Sequence, residues 1–176
     1  MKKRHCIFIC LLVSFYSCGI SESLEFKVVK EVFRARTLTI PSTLNNAVPF
    51  EILEEVKLAN QGFDEHIDKV MKYTVLSLTV KFKDYTGNNT EVINSGALYA
   101  DNLVLGAVTN LNISQGANQE TVFNIQDKTI LHELETMLLN NQKTTIKFSG
   151  QAQTGAVSMS LNLELFIKIE ATVAYD

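Results

Sequence analysis

From Val157 onward every second residue is apolar: Val157, Met159, Leu161, Leu163, Leu165, Ile167, Ile169, Ala171, Val173 and Tyr175. The intervening row, Ser158 to Ala174, is mostly polar and carries Asn162, Glu164, Lys168 and Glu170. Successive side chains of a strand point to opposite faces, so this alternation predicts a strand with one face buried. At about 3.3 Å per residue it would run roughly 60 Å, beyond an ordinary strand, which predicts that it bends or passes between sheets. Tyr73–Asp84 alternates as clearly, with Leu76, Leu78, Val80 and Phe82 opposite Ser77, Thr79, Lys81 and Lys83, and Gly87-Asn88-Asn89 follows as a turn. Leu24, Phe26, Val28 and Val32 share one parity against Glu25, Lys27 and Glu31, until Pro41 and Asn45-Asn46 break the run. Val48–Leu58 is less regular, because Leu53-Glu54-Glu55-Val56 interrupts the period and predicts a bulge.

Shorter apolar stretches at Ala97–Ala100, Leu103–Ile113 and Thr121–Ile125 predict further strands. Lys143–Phe148 alternates again, and Gly150–Gly155 is expected to turn it back as a hairpin. Two segments follow a helical period instead. Phe63–Met71 places Phe63, Ile67, Val70 and Met71 on one face, with Asp64 and Glu65 in the first turn. In Asp127–Asn140, Asp127 can cap, Ile130, Leu131, Leu134, Met137 and Leu138 form a stripe, and Asn140-Asn141 can end the helix. The expected fold is mainly β, an antiparallel β-sandwich with one or two short helices packed on it, forming a single domain over residues 24–176. A small membrane β-barrel would also alternate, but the 127–140 helix interrupts the strands and the chain has no Trp for an aromatic girdle.

The N-terminus departs from this alternation. Lys2, Lys3 and Arg4 precede an apolar run, Cys6–Val13, and small or polar residues follow near Cys18. These are the three parts of an export signal, with the positive end retained on the cytoplasmic side. The run from Cys6 to Tyr16 is shorter than the roughly 20 residues of a spanning helix. Removing residues 1–17 takes the formal charge from −3 to −6, since it removes three cations and no acids. An acidic chain of this kind is not expected to bind nucleic acid. The cysteines are Cys6, Cys10 and Cys18, so the body carries no disulfide and must stand on its core.

Phe15-Tyr16-Ser17-Cys18-Gly19 resembles the lipobox of bacterial lipoproteins, with Phe15 in place of the usual Leu and Tyr16 where a small residue is commoner. The resemblance implies a signal peptide over 1–17, cleavage before Cys18, lipidation of Cys18 and a short tether over 18–23. Several acyl chains, each contributing about 0.8 kcal/mol per buried CH₂, hold a protein to a bilayer where one chain does not. Gly19 is not the Asp that favours inner-membrane retention in enteric lipoproteins, so the expected location is the outer membrane of the cell envelope, with the leaflet open. The body from Tyr73 to Val173 is also similar in pattern to a group of small Gram-negative envelope lipoproteins of unknown function. Leu76-Ser77-Leu78-Thr79-Val80 matches their "sLtv" strand, and Leu131–Leu139, Ser149-Gly150 and the long terminal strand match the elements after it. That resemblance implies the sandwich and brings no activity.

Residues that could carry chemistry are few. His132-Glu133-Leu134-Glu135 lacks a second His four residues on, and Glu133 and Glu135 fall off the apolar stripe, as on a solvated helix side. Asp64-Glu65-His66 with Asp68 fits an acidic helix start better than a metal site. No nucleophile elbow, phosphate loop, dinucleotide fingerprint or paired-cysteine motif is present. Asn88-Asn89-Thr90 and Asn112-Ile113-Ser114 match the glycosylation sequon, as chance matches on turns would. Tyr73, Tyr85, Tyr99 and Tyr175 could line a sugar-binding face, but core or cross-strand packing fits them better, since Tyr suits a pleated surface and there is no Trp platform. The expectation is therefore a non-enzymatic envelope lipoprotein without cofactor or metal. It would hold the membrane through lipid on Cys18 and offer strand edges or loops to an envelope protein partner. A lipid or small-molecule carrier, with a cavity between the sheets under the 127–140 helix, is the alternative.

Overall fold

The computed structural model describes residues 24–58, 68–119 and 121–175. The expected signal peptide, Cys18, the 18–23 tether and most of the helix placed over Phe63–Met71 lie outside these residues. The elements in chain order are β1 (Leu24–Ile40), β2 (Ala47–Lys57), β3 (Val70–Thr86), β4 (Val92–Ala100), β5 (Leu103–Asn112), α1 (Ile113–Gln119), β6 (Thr121–Ile125), α2 (Lys128–Asn141), β7 (Lys143–Gln153) and β8 (Met159–Tyr175).

The strands form two antiparallel four-stranded sheets, in the orders β1-β8-β3-β6 and β2-β7-β4-β5. The protein is thus mainly β, a sandwich with two short helices among the described residues. Consecutive strands alternate between the sheets over most of the chain, which is the winding of an eight-stranded jelly roll. Its core runs across both sheets. The Phe148 ring on β7 lies 5.1 Å from Phe50 of its own sheet, and 6.1 Å from Phe82 and 5.6 Å from Phe123 of the other.

β8 carries the strongest apolar row, and the structure places it inside a sheet. It pairs without a break with β1, from Leu24↔Tyr175 to Ile40↔Met159, and with β3 on its other side. It neither bends out of the sheet nor passes to the second one. Its row from Met159 to Val173 is buried along its length, while Val157 lies ahead of the strand and is exposed. Two long neighbours satisfy its backbone on both edges, which is how so long a strand stays in one sheet.

The expected bulge is in a different strand. β2 pairs with β7 in unbroken register from Ala47↔Gln153 to Lys57↔Lys143, so Leu53 faces solvent and Glu54 turns toward the interior. The slip lies in β3, whose register against β8 shifts between Val75 and Ser77. Ahead of it Tyr73 and Val75 are buried, and after it Leu78, Val80 and Phe82. Leu76, predicted to share that face, is pushed out to the surface, because the extra residue reverses the parity. β6 pairs with β3 only from Leu78 to Lys81, and α2 packs on β3, with Glu135 Oε1 accepting the Val75 backbone N–H at 3.0 Å.

Three other expectations change. Val70 and Met71 open β3 and do not end a helix. Gly150–Gly155 makes no hairpin, because β7 continues through Gln153 and the chain then crosses to β8 in the other sheet. The strand placed over Leu103–Ile113 stops at Asn112, whose Oδ1 accepts the Gln115 N–H at 2.9 Å as the chain enters α1. The polar, glycine-containing sequence of α1 has no apolar stripe by which to anticipate it.

α2 forms where its stripe predicted. Asp127 Oδ1 accepts the N–H groups of Thr129 at 2.8 Å and Ile130 at 3.2 Å, and the helix buries Leu131, Leu134 and Leu138. It stops at Gln142, whose left-handed φ of 55° lets its N–H reach Leu138 O at 2.8 Å. Asp127→Ala is expected to cost about 1 kcal/mol in urea unfolding, with Asp127→Asn recovering most of it.

Candidate functional site

The residues singled out in the sequence do not gather in one place. Cys18, Asp64, Glu65 and His66 lie outside the described residues, and Asp68 is exposed. His132 sits on the outer side of α2 with Nδ1 3.2 Å from Glu135 Oε2, and Glu133 is exposed beside it. Glu135 is not the solvated side chain its helix position suggested, since its carboxylate caps the N–H freed at the β3 bulge. Tyr73 is buried in the core, where burial pushes its hydroxyl pKa up. Tyr85 packs at the edge of the core, and Tyr99 lies under the Lys147 ammonium at 4.7 Å. These three do not form one platform.

The interior rows of β1 and β2 contain a feature the sequence reading did not isolate. Between buried Val32 and Leu38, the inward positions of β1 are Arg34 and Arg36, and the matching position of β2 is Glu54. Arg34 Nε lies 3.5 Å from Glu54 Oε1, and Arg36 Nε bonds Glu54 Oε2. The three side chains stand where the two sheets part, at the mouth of a small apolar cavity lined beneath by Ile52, Val80, Leu98, Ile146 and Phe148. Its volume of about 30 Å³ holds one or two waters and no ligand of ordinary size. No residue of α2 lines it, so the space proposed under that helix for a carrier is absent from this cavity. Two cations at core parity in one strand and an acid at core parity in the next were the available signal.

The loops meet at two ends. At the Ile40/Met159 end, the β1–β2 and β7–β8 connections are latched by buried threonines. Thr43 N donates to Thr154 Oγ1 at 2.9 Å, Thr154 N donates to Thr43 Oγ1 at 2.9 Å, and Thr154 Oγ1 donates to Pro41 O at 2.9 Å. This latch holds Leu44 at a left-handed φ of 48°, with its side chain 73% exposed. A bulky residue rarely adopts that conformation, and such strain persists only where the surroundings impose it. Val157 is exposed on the facing connection.

The β3–β4 turn reaches the same end, since Thr86 pairs with Ser160 and Val92 with Gln153. The two sequon matches meet there. Asn112 Nδ2 donates to Asn89 O at 2.6 Å, and Ser114 Oγ donates to Asn89 Oδ1 at 3.0 Å, pinning the turn to the end of β5 and the start of α1. Among the described residues no helix is long and apolar enough to cross a membrane.

No family model and no curated protein matches the chain. Among solved structures, it is similar to the decameric BFDV capsid protein, with a TM-score of 0.46 and 10% identity over 84% of this chain and 99% of that one. The 60-mer of the BFDV capsid protein gives a TM-score of 0.44 and 7% identity over 89% of this chain and 97% of that one. Likeness this slight transfers neither architecture nor activity, and the two-sheet fold described above stands on its own strand pairing.

Proposed function

We propose that this protein is a non-enzymatic binding module of the bacterial outer membrane, anchored by lipid on Cys18, that presents its latched loops to an envelope protein partner. The observation that carries the binding reading is the exposed, strained Leu44 held out by the Thr43–Thr154 latch, with Val157 exposed on the facing connection. A rigid loop end with apolar tips loses little freedom on docking, which favours its use as a contact surface. The anchor reading rests on the lipobox-like Phe15–Gly19 segment, which ends five residues ahead of β1.

The two readings fit one geometry. Leu24 pairs with Tyr175 and Ile40 with Met159, so a lipid at Cys18 would lie near the first end of β1 and the latched loops at the other. Seventeen strand residues separate them, about 55 Å at the usual rise. The latched loops would then face away from the bilayer.

Labelling with an alkyne palmitate analogue in the producing cell tests the anchor. Wild type is expected to take up label and Cys18→Ser to lose it and leave the membrane fraction. Equal labelling of both, or of neither, overturns the anchor. The binding reading is tested separately by affinity recovery from detergent-solubilised envelope. A partner held by wild type and lost with Leu44→Asp supports it, whereas recovery indifferent to Leu44 sends the contact elsewhere.

A further inference from the structure

β1 and β2 are the edge strands of the two sheets on one side of the sandwich, and among the described residues no strand pairs with their outer edges. An open edge is a template for a further strand, and proteins protect it with prolines, bulges or charges that point inward. β1 has neither of the first two: its 17 residues contain no proline and pair with β8 without a slip. Its outward row carries Val29 and Phe33, each 47% exposed. Its inward row is apolar except at Lys30, Arg34 and Arg36. The two arginines reach Glu54 of β2 across the gap between the sheets, and Arg34 Nη1 also donates to Phe33 O at 2.7 Å. The Arg34 and Glu54 side chains are only 26% and 17% exposed. Withdrawing such charges from water costs much of what their attraction returns, and apolar side chains of similar volume often hold the same position equally well or better. Stability therefore does not account for a charged cluster in this row.

The pairing that these charges oppose is that of β1 with itself. In a twofold arrangement of two copies, with their β1 strands antiparallel and centred on Val32, all 17 residues overlap and Leu24 of one copy faces Ile40 of the other. On the outward face this register sets Lys27 opposite Thr37, Val29 opposite Ala35 and Glu31 opposite Phe33, with no like charges opposed. On the inward face Phe26 meets Leu38 and Val32 meets Val32, but Lys30 meets Arg34 twice and Val28 meets Arg36. Like charges directly opposite one another on adjacent strands are destabilising, so these cations are what opposes an otherwise well-matched continuous sheet. We propose that Arg34 and Arg36, tied across the open flank by Glu54, keep the β1 edge from pairing with the β1 edge of a second copy. Glu54 holds both guanidinium groups at the flank, so they do not swing out of the way of an incoming strand. This inference is independent of the lipid anchor and of the partner at the latched loops.

Sedimentation velocity of the purified protein over a range of micromolar concentrations, with urea unfolding alongside, tests this. Wild type is expected to sediment as a monomer. The triple variant Arg34→Val/Arg36→Val/Glu54→Val is expected to keep at least the wild-type urea midpoint and to sediment as a dimer. Adding Thr37→Lys to the triple variant should restore the monomer, because in this register the new ammonium faces Lys27 of the second copy, twice. A folded triple variant that stays monomeric, or a dimer that Thr37→Lys leaves intact, overturns the proposal. So does a wild type that already forms a dimer sensitive to Thr37→Lys. If the triple variant fails to fold, Lys30→Glu carries the test from an exposed position with the cluster intact, since it turns each opposition of Lys30 and Arg34 into an attraction. A dimer that salt dissociates then supports the proposal, and a monomer over the same concentrations overturns it.

Discussion

Phe148→Ala is expected to lower stability by about 3–5 kcal/mol, read as a fall in the urea midpoint with little change in slope. Phe148 is 1% exposed and its ring lies within 5.1–6.1 Å of the Phe50, Phe82 and Phe123 rings, so it joins three strands beyond its own. Truncation removes the transfer energy of the ring and leaves a void next to the cavity at the Arg34–Glu54 mouth, which Phe148 also lines. The merged space is backed by β3, β4, β7 and β8, each paired on both edges, which limits collapse, and the cost of a cavity grows with the volume that stays unfilled. Phe148→Leu, which keeps most of the volume, should cost less than half as much. A loss below about 1 kcal/mol for Phe148→Ala would show that the sheets close over the gap and that the aromatic cluster is not the centre of the core.

The second large effect is expected at Gly150, from added volume. Gly150 lies between Phe50 of β2 and Gly96 of β4, in the middle of a sheet. A Cβ there would collide with Ser95 O and lie 2.7 Å from Gly96 Cα and 2.9 Å from the Ser95 carbonyl carbon. These are backbone atoms of a paired strand and cannot rotate away as a side chain would, so Gly150→Ala must push β4 and β7 apart. The expected loss is about 3 kcal/mol or more, enough to lower the yield of folded protein. Gly155 is the control. A Cβ there meets nothing within 4 Å, and Gly155→Ala is expected to be neutral or to stabilise by up to about 1 kcal/mol, through the unfolded chain. Equal effects at the two sites would mean that chain entropy, and not the close approach of β4 and β7, governs Gly150.

The same glycine shows why part of the fold escapes the sequence. Gly150 and Gly155 look alike as neighbours in a Gly-Gln-Ala-Gln-Thr-Gly stretch, and the local reading makes both of them turn residues. One is a point of contact between strands, and that depends on β4, which lies about fifty residues earlier in the chain. Leu76 makes the same point, since its row alternates without a flaw and only the register against β8 reveals the bulge that turns it outward. Glu54 is the reverse case. Its stretch looks irregular, yet β2 holds its register because Arg34 and Arg36 meet an acid at core parity.

What the sequence determined by itself is what depends on near neighbours. Alternation marks β3 and β8 as half-buried strands, and the 3.6-residue stripe with a capping aspartate marks α2, because pleat, helix pitch and cap geometry act over a few residues. The sandwich class follows from equally local features. Tertiary structure alone decided the order β1-β8-β3-β6 against β2-β7-β4-β5, the bulge at Leu76, the Thr43–Thr154 latch and the burial of Glu91. Each of these joins residues distant in the chain, and their energies depend on partners that no local period encodes. A lone glutamate after an Asn-Asn-Thr turn has the composition of a solvated loop, and it becomes a buried side chain only when the fold packs it against Tyr85 and Gly87.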